Sequence, residues 1–157
     1  MVFLLVLDYL KLQLADALPA DAVTHMRYPT AISRLLGIRI CEVDKASATV
    51  EIDADPALHG NQQGTVHGGL LCELADAAIG TAHSTVVEAG ESFASIELHI
   101  RFFRPVFRTT LRAQAKAIHL GRNLSHYRCE ILRGDGKLAA SVTSAVMSLR
   151  GEQARGR

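Results

Sequence analysis

Apolar and polar positions alternate along most of the second half of the chain. Ala48, Val50 and Ile52 alternate with Thr49, Glu51 and Asp53, the pattern of a half-buried strand, and it predicts a strand over about 46–53 after another over about 38–43. From Ala94 to Phe103 the apolar set Ala94, Ile96, Leu98, Ile100 and Phe102 alternates with Ser95, Glu97, His99 and Arg101, and Pro105 closes the run. Next, Arg108, Thr110, Arg112, Gln114 and Lys116 point one way while Leu111, Ala113, Ala115 and Ala117 point the other. Two further strands, Leu124–Leu132 and Leu138–Leu149, are joined by Gly134-Asp135-Gly136, a hairpin turn signal.

Three segments carry helical spacing instead. Residues 30–36 predict a short helix closed by Gly37. After a loop of turn formers over 55–66, a long helix is expected from Gly68 or Gly69 to about Val87, ended by Gly90. Its face Leu71, Leu74, Ala75, Ala78 and Ala82 suits close packing on a sheet, while Cys72, Asp76, Ile79 and His83 form a separate stripe. The run MVFLLVL opens a third helix, expected over about 2–18. It lacks a preceding basic residue and is interrupted by Asp8 and Lys11, so it makes a poor signal peptide and is too short to cross a membrane. Antiparallel strands around one long helix make an α+β domain.

Composition agrees with a folded domain: 157 residues, 48% hydrophobic, without tryptophan. Cys41, Cys72 and Cys129 form no C-x-x-C pair and leave an odd thiol, which argues against a disulfide framework or a zinc site and for a reducing, cytoplasmic setting. The net charge of +1 hides an asymmetry, since residues 1–100 balance to −8 and residues 101–133 to +7. An outward polar strand face explains such arginines more simply than a phosphate-rich ligand does. Nucleic acid is disfavoured, because no binding motif or aromatic ladder accompanies them. A nucleophile elbow, a Walker loop and H-E-x-x-H spacing are all missing from the sequence.

Candidate chemistry concentrates in HGNQQGTVHGGLLCELAD, His59 to Asp76, across a loop-to-helix junction. A helix N-terminus offers unpaired N–H groups, and Gly68 and Gly69 put no Cβ in the way of a carbonyl oxygen gaining charge. A tight turn with His67 as helix cap is the plainer reading of H-G-G alone. Asp76 lies two turns into the helix, with Glu73 as competing acid; a solvent-facing carboxylate is as common there as a functional one.

The combination N-x-x-G-T-x-H-G-G at Asn61 to Gly69, L-x-D at Leu74 to Asp76, and a strand serine ten residues before proline at Ser95 and Pro105 resembles the PaaI-like acyl-CoA thioesterases of the hotdog fold. The resemblance runs from about Thr30 to Arg150. It implies an antiparallel sheet wrapped around one long central helix, with the N-terminal helix as an extra: an extension over 1–28, a hotdog domain over 29–150 and a flexible tail over 151–157. It also implies homodimers, assembling into a homotetramer, with active sites at the dimer interface. Asn61, His67 and Gly68 would come from one subunit and Asp76 from the other, with Ser95 helping to hold water. Asp76 would act as general base or nucleophile on an acyl-CoA, without metal or redox cofactor. Gly69, Arg101, Arg104 and the turn Gly121-Arg122-Asn123 are the implied contacts to substrate and nucleotide. For the acyl group the candidates are Leu70, Leu71, Ile79, Phe93 and Phe103. A non-catalytic acyl-CoA-binding module and a hotdog dehydratase are the alternatives.

Overall fold

The computed structural model describes all 157 residues. Six strands form one antiparallel sheet: β3 (Arg39–Asp44), β4 (Ser47–Ala54), β5 (Ser92–Phe102), β6 (Thr109–His119), β7 (Leu124–Leu132) and β8 (Leu138–Leu149), in the spatial order β3-β4-β6-β7-β8-β5. The sheet wraps around α4 (Gly68–Ser84), which packs chiefly on β4, β6 and β7. The expected helix face is the one buried: Leu71, Leu74, Ala75, Ala78 and Ala82 meet Val50, Ile52, Leu111 and Tyr127 in the core. This is the hotdog arrangement. The remaining elements are β1 (Val2–Phe3), α1 (Val6–Leu14), β2 (Ala22–Val23), α2 (Ala31–Leu36), α3 (Pro56–His59) and a 3-10 turn over Gly151–Ala154.

Local chemistry sets several boundaries. The Thr30 hydroxyl caps α2 by accepting from Ser33 N–H at 3.1 Å, and Gly37 ends the helix at φ 75°. Two expected helices are shorter than the sequence suggests. The first starts only at Val6, because Val2 and Phe3 pair with Ala22 and Val23 as a small parallel ladder. The long helix stops at Ser84 rather than near Val87. There Thr85 Oγ1 donates to the Ala82 carbonyl and accepts from Ala46 N–H, and Gly90 belongs to the turn that enters β5.

A bulge breaks the regular alternation expected in β5. The register against β8 shifts between Ser95 and Glu97, so Phe93 packs on the core before the shift, and Leu98 and Ile100 after it. An odd spacing of five between inward residues needs one extra residue. Ser95 is thereby turned toward α4, and Ile96 is left half exposed at the sheet edge.

The charge asymmetry is offset in part across the sheet. β4 and β6 pair with Glu51 opposite Arg112 and Asp53 opposite Thr110. Arg112 Nε lies 2.9 Å from Glu51, Arg39 lies 3.0 Å from Asp53, and Arg108 lies 2.5 Å from Asp55. Asp55 and Glu51 of the first half are thus each paired with an arginine of the second, Arg108 and Arg112. No helix is long and apolar enough to cross a membrane.

Candidate active site

The loop ahead of α4 is braced from within. Asn61 Oδ1 accepts from the N–H groups of Gln63 and Thr65 at 2.9 and 3.2 Å, and its Nδ2 donates to Thr65 Oγ1 at 3.0 Å. Thr65, which sequence reasoning passed over, is thus the partner of Asn61; an asparagine closing an Asx-type turn was the available signal. His67 caps α4, its Nδ1 accepting from Gly69 N–H at 2.9 Å. Leu70 N–H turns back to the His67 carbonyl. The Gly68 N–H, at the positive end of the helix, finds no acceptor within the chain.

Gly68 and Asn61 line one cavity of about 410 Å³, together with Phe102, Phe103 and Arg104. Part of the room left by the missing Cβ of Gly68 is taken by the Phe102 ring, which a Cβ there would meet at 2.9 Å. No local pattern announced that contact, since the two residues are 34 positions apart.

Asp76 and Ser95 meet elsewhere. The Ser95 hydroxyl donates to Asp76 Oδ1 at 2.9 Å, and both line a second cavity of about 400 Å³ with Gly69, Cys72 and Glu73. Burial, reinforced by the charge of Asp76 one turn along, pushes the Glu73 carboxyl above its ordinary range. This half of the site is two neighbouring carboxylates and one hydroxyl, and the other half is a free N–H at a helix end. Together they offer a base or nucleophile and an oxyanion donor, the needs of acyl transfer to water. Within one chain the two halves face different cavities.

The arginines also separate. Arg104 stands at the rim of the Gly68 cavity, with Nη1 donating to the Leu138 carbonyl at 2.7 Å. Arg101 neighbours Phe102 on the strand and therefore points to the face away from α4. The turn Gly121-Arg122-Asn123 lies at the far end of β8: Asn123 O accepts from Ser148 N–H, whereas Arg101 pairs with Ser141. Seven strand residues, about 24 Å, divide them. Arg150 Nη1 holds the turn by donating to the Arg122 carbonyl at 2.8 Å. Of the acyl-pocket candidates, Leu70 and Ile79 are buried in the core, whereas Leu71, also buried, lines the Gly68 cavity with Phe103. Phe93 lines the largest cavity, which lies between α4 and the N-terminal extension.

Comparison with known proteins bears on this geometry. Residues 63–140 match the family model described as the thioesterase superfamily. The structure of the E. coli PaaI protein from the phenylacetic acid degradation operon is similar at 30% identity and a TM-score of 0.72, over 78% of this chain and 87% of that one. The medium/long-chain acyl-CoA thioesterase YigI of Salmonella typhimurium is 25% identical over 134 residues, 76% of this chain and 86% of the relative. The 1,4-dihydroxy-2-naphthoyl-CoA hydrolase of Listeria monocytogenes is 28% identical over 109 residues, 68% and 86% of the two chains. With the hotdog architecture, a free N–H at a helix start and a half-buried carboxylate already in place, the chain belongs to the thioesterase superfamily as a PaaI-like hotdog protein and is a thioester hydrolase.

Proposed function

We propose that the protein hydrolyses acyl-CoA thioesters to a free acid and CoA at sites shared between two copies of the chain. The observation that carries this is the division of the machinery: Gly68 and Asn61 line one cavity, Asp76 and Ser95 another. β5 is an edge strand of eleven residues with Ile96 and Phe102 about half exposed, so its open edge suits pairing with a second copy. In that reading the Gly68 N–H of one subunit polarises the thioester carbonyl. Asp76 of the other, oriented by Ser95, activates water or attacks the carbonyl itself. Asn61 holds the loop that aims Gly68, and His67 takes Gly69 N–H out of competition. Hydrolysis by this route needs an oxyanion donor and a base and no metal or redox cofactor. Dimers of this kind can pair further into a homotetramer. The three free thiols suit a reducing, cytoplasmic compartment.

Thiol release from a panel of aliphatic and aromatic acyl-CoAs tests the activity, and subunit mixing tests the shared site. Asp76→Asn and Asn61→Ala proteins, each weakly active alone, should recover roughly a quarter of wild-type activity on exchange. Half of the dimers are then hybrids, and each hybrid keeps one intact site of two. Purely additive activities on mixing would place both halves in one chain.

Among the arginines, Arg104 has the best claim on the CoA phosphates, since it shares a cavity with Gly68. Arg104→Ala should raise KM for acyl-CoA about 3- to 10-fold at low ionic strength. The effect should shrink in high salt and vanish for an acyl-pantetheine lacking the nucleotide. Equal losses on both substrates would assign Arg104 to the fold, through its bond to the Leu138 carbonyl.

A further inference from the structure

The largest cavity, about 610 Å³, lies between the N-terminal extension and α4. Leu10 and Leu14 of α1, with Met26 and Tyr28 from the segment after it, form the outer wall. Ala77 and Gly80 of α4 form part of the inner one. Asp76 and Glu73 line this cavity as well as the one that holds Ser95, so the carboxylate stands at the junction of the two.

Two observations define the occupant. Three hydroxyl groups on the wall are already engaged inside the chain: Thr81 donates to the Ala77 carbonyl at 2.7 Å, Ser84 to the Gly80 carbonyl at 2.8 Å, and Thr30 to Ser33 at 2.8 Å. These three hydroxyls offer a guest no free donor, and apolar atoms make up most of the lining apart from Gln13, Arg27 and Tyr28, which suits an apolar chain. Gly80 sits in the middle of a helix, where glycine is weaker than alanine, yet its backbone is ordinary and an added Cβ would meet only the Phe93 ring, at 3.8 Å. The fold does not require glycine there. A glycine there leaves the cavity open on its α4 side.

We propose that this cavity binds the acyl chain of the substrate, that the chain is aliphatic and of medium length, and that Gly80 and Met26 keep its path open. The proposal rests on the hydrolase reading above and adds the acyl class and a role for the N-terminal extension. From Asp76 to Ser84 the inner wall rises about 12 Å. At about 1.2 Å of reach per bond in an extended chain, this accepts about ten bonds. Val6 and Leu10 are fully buried and Lys11 pairs with Asp44 at 3.0 Å, so α1 is a fixed wall of the cavity.

The test is the ratio of kcat/KM for decanoyl-CoA over butyryl-CoA. Each buried methylene is worth roughly fourfold, so Gly80→Leu, which puts side-chain bulk into the cavity, should lower that ratio roughly 30-fold. Met26→Trp should do the same from the opposite wall, and Gly80→Ala, whose Cβ makes only ordinary contact, should move it less in the same direction. A ratio unchanged within twofold in all three folded variants would overturn the proposal while leaving hydrolysis standing. A wild type that prefers benzoyl- or phenylacetyl-CoA to decanoyl-CoA would overturn the aliphatic occupant. Should the wild type cleave no acyl-CoA, the hydrolase reading fails. Calorimetry with decanoate then decides the cavity: binding that Gly80→Leu abolishes supports it, and absence of binding to the wild type overturns it.

Discussion

Asp76→Asn is expected to lower turnover by roughly 10²–10⁴-fold, the range for loss of a positioned general base, with the fold intact. Asparagine has nearly the same shape, and its Oδ1 can still accept from the Ser95 hydroxyl, which now sits 2.9 Å from the carboxylate. Asp76 is half-buried and outside the packed face of α4, so no core contact is lost. The substitution also removes the negative charge that, after burial, holds the Glu73 carboxyl above its ordinary range. The pKa of Glu73 should therefore fall in the variant, a shift that carboxyl NMR can follow independently of activity. Single-turnover assays with circular dichroism as the folding control measure the first effect. Undiminished turnover in a folded variant would move the base to Glu73, the other carboxylate on both cavities.

The second large effect is on stability. His83 is buried near the C-terminal end of α4, its Nδ1 2.9 Å from the Tyr127 hydroxyl and its Nε2 3.2 Å from the Ser148 hydroxyl, with the rings of Phe93 and Tyr127 edge-on to it. Burial lowers its pKa from 6.5 to about 4; Glu91 opposes the shift and Arg150 adds to it. Because the unfolded chain binds the proton more readily, the stabilisation is fully present above pH 6.5. It is lost as the pH falls toward 4, by roughly 3 kcal/mol over that window. His25, also lowered by burial, acts in the same direction. The difference between wild type and His83→Gln in urea titrations at pH 7 and pH 4.5 isolates the His83 contribution. A wild-type stability as pH-insensitive as that of the variant would show that His83 titrates alike in the folded and unfolded chain, against the lowering by burial. Phe93 touches both His83 and the largest cavity, so loosening of this cluster in acid should reach the acyl wall.

Periodicity by itself determined most of the scaffold. β7 and β8 begin and end at the residues where the alternation does, and the inward set Leu111, Ala113 and Ala115 of β6 is buried as the pattern requires. The apolar stripe of α4 and the caps at Thr30 and Gly37 were equally legible, because each depends on neighbours within one or two turns of chain. The motif from Asn61 to Asp76 likewise marked the residues of the candidate site. Only the tertiary structure decided how those residues meet. The bulge that turns Ser95 toward Asp76 arises from the register of β5 on β8, about fifty residues away in sequence, and a regular alternation fits the same letters without it. The end of α4 at Ser84 depends on Thr85 bonding Ala46, thirty-nine residues earlier. Arg112 on the outer face of β6 is paired with Glu51 of β4 through cross-strand register. The cavity under α1 exists because two segments about seventy residues apart fail to close on one another at Gly80. Local propensity is set by neighbours along the chain, whereas register, ion pairing and empty space are set by neighbours across it.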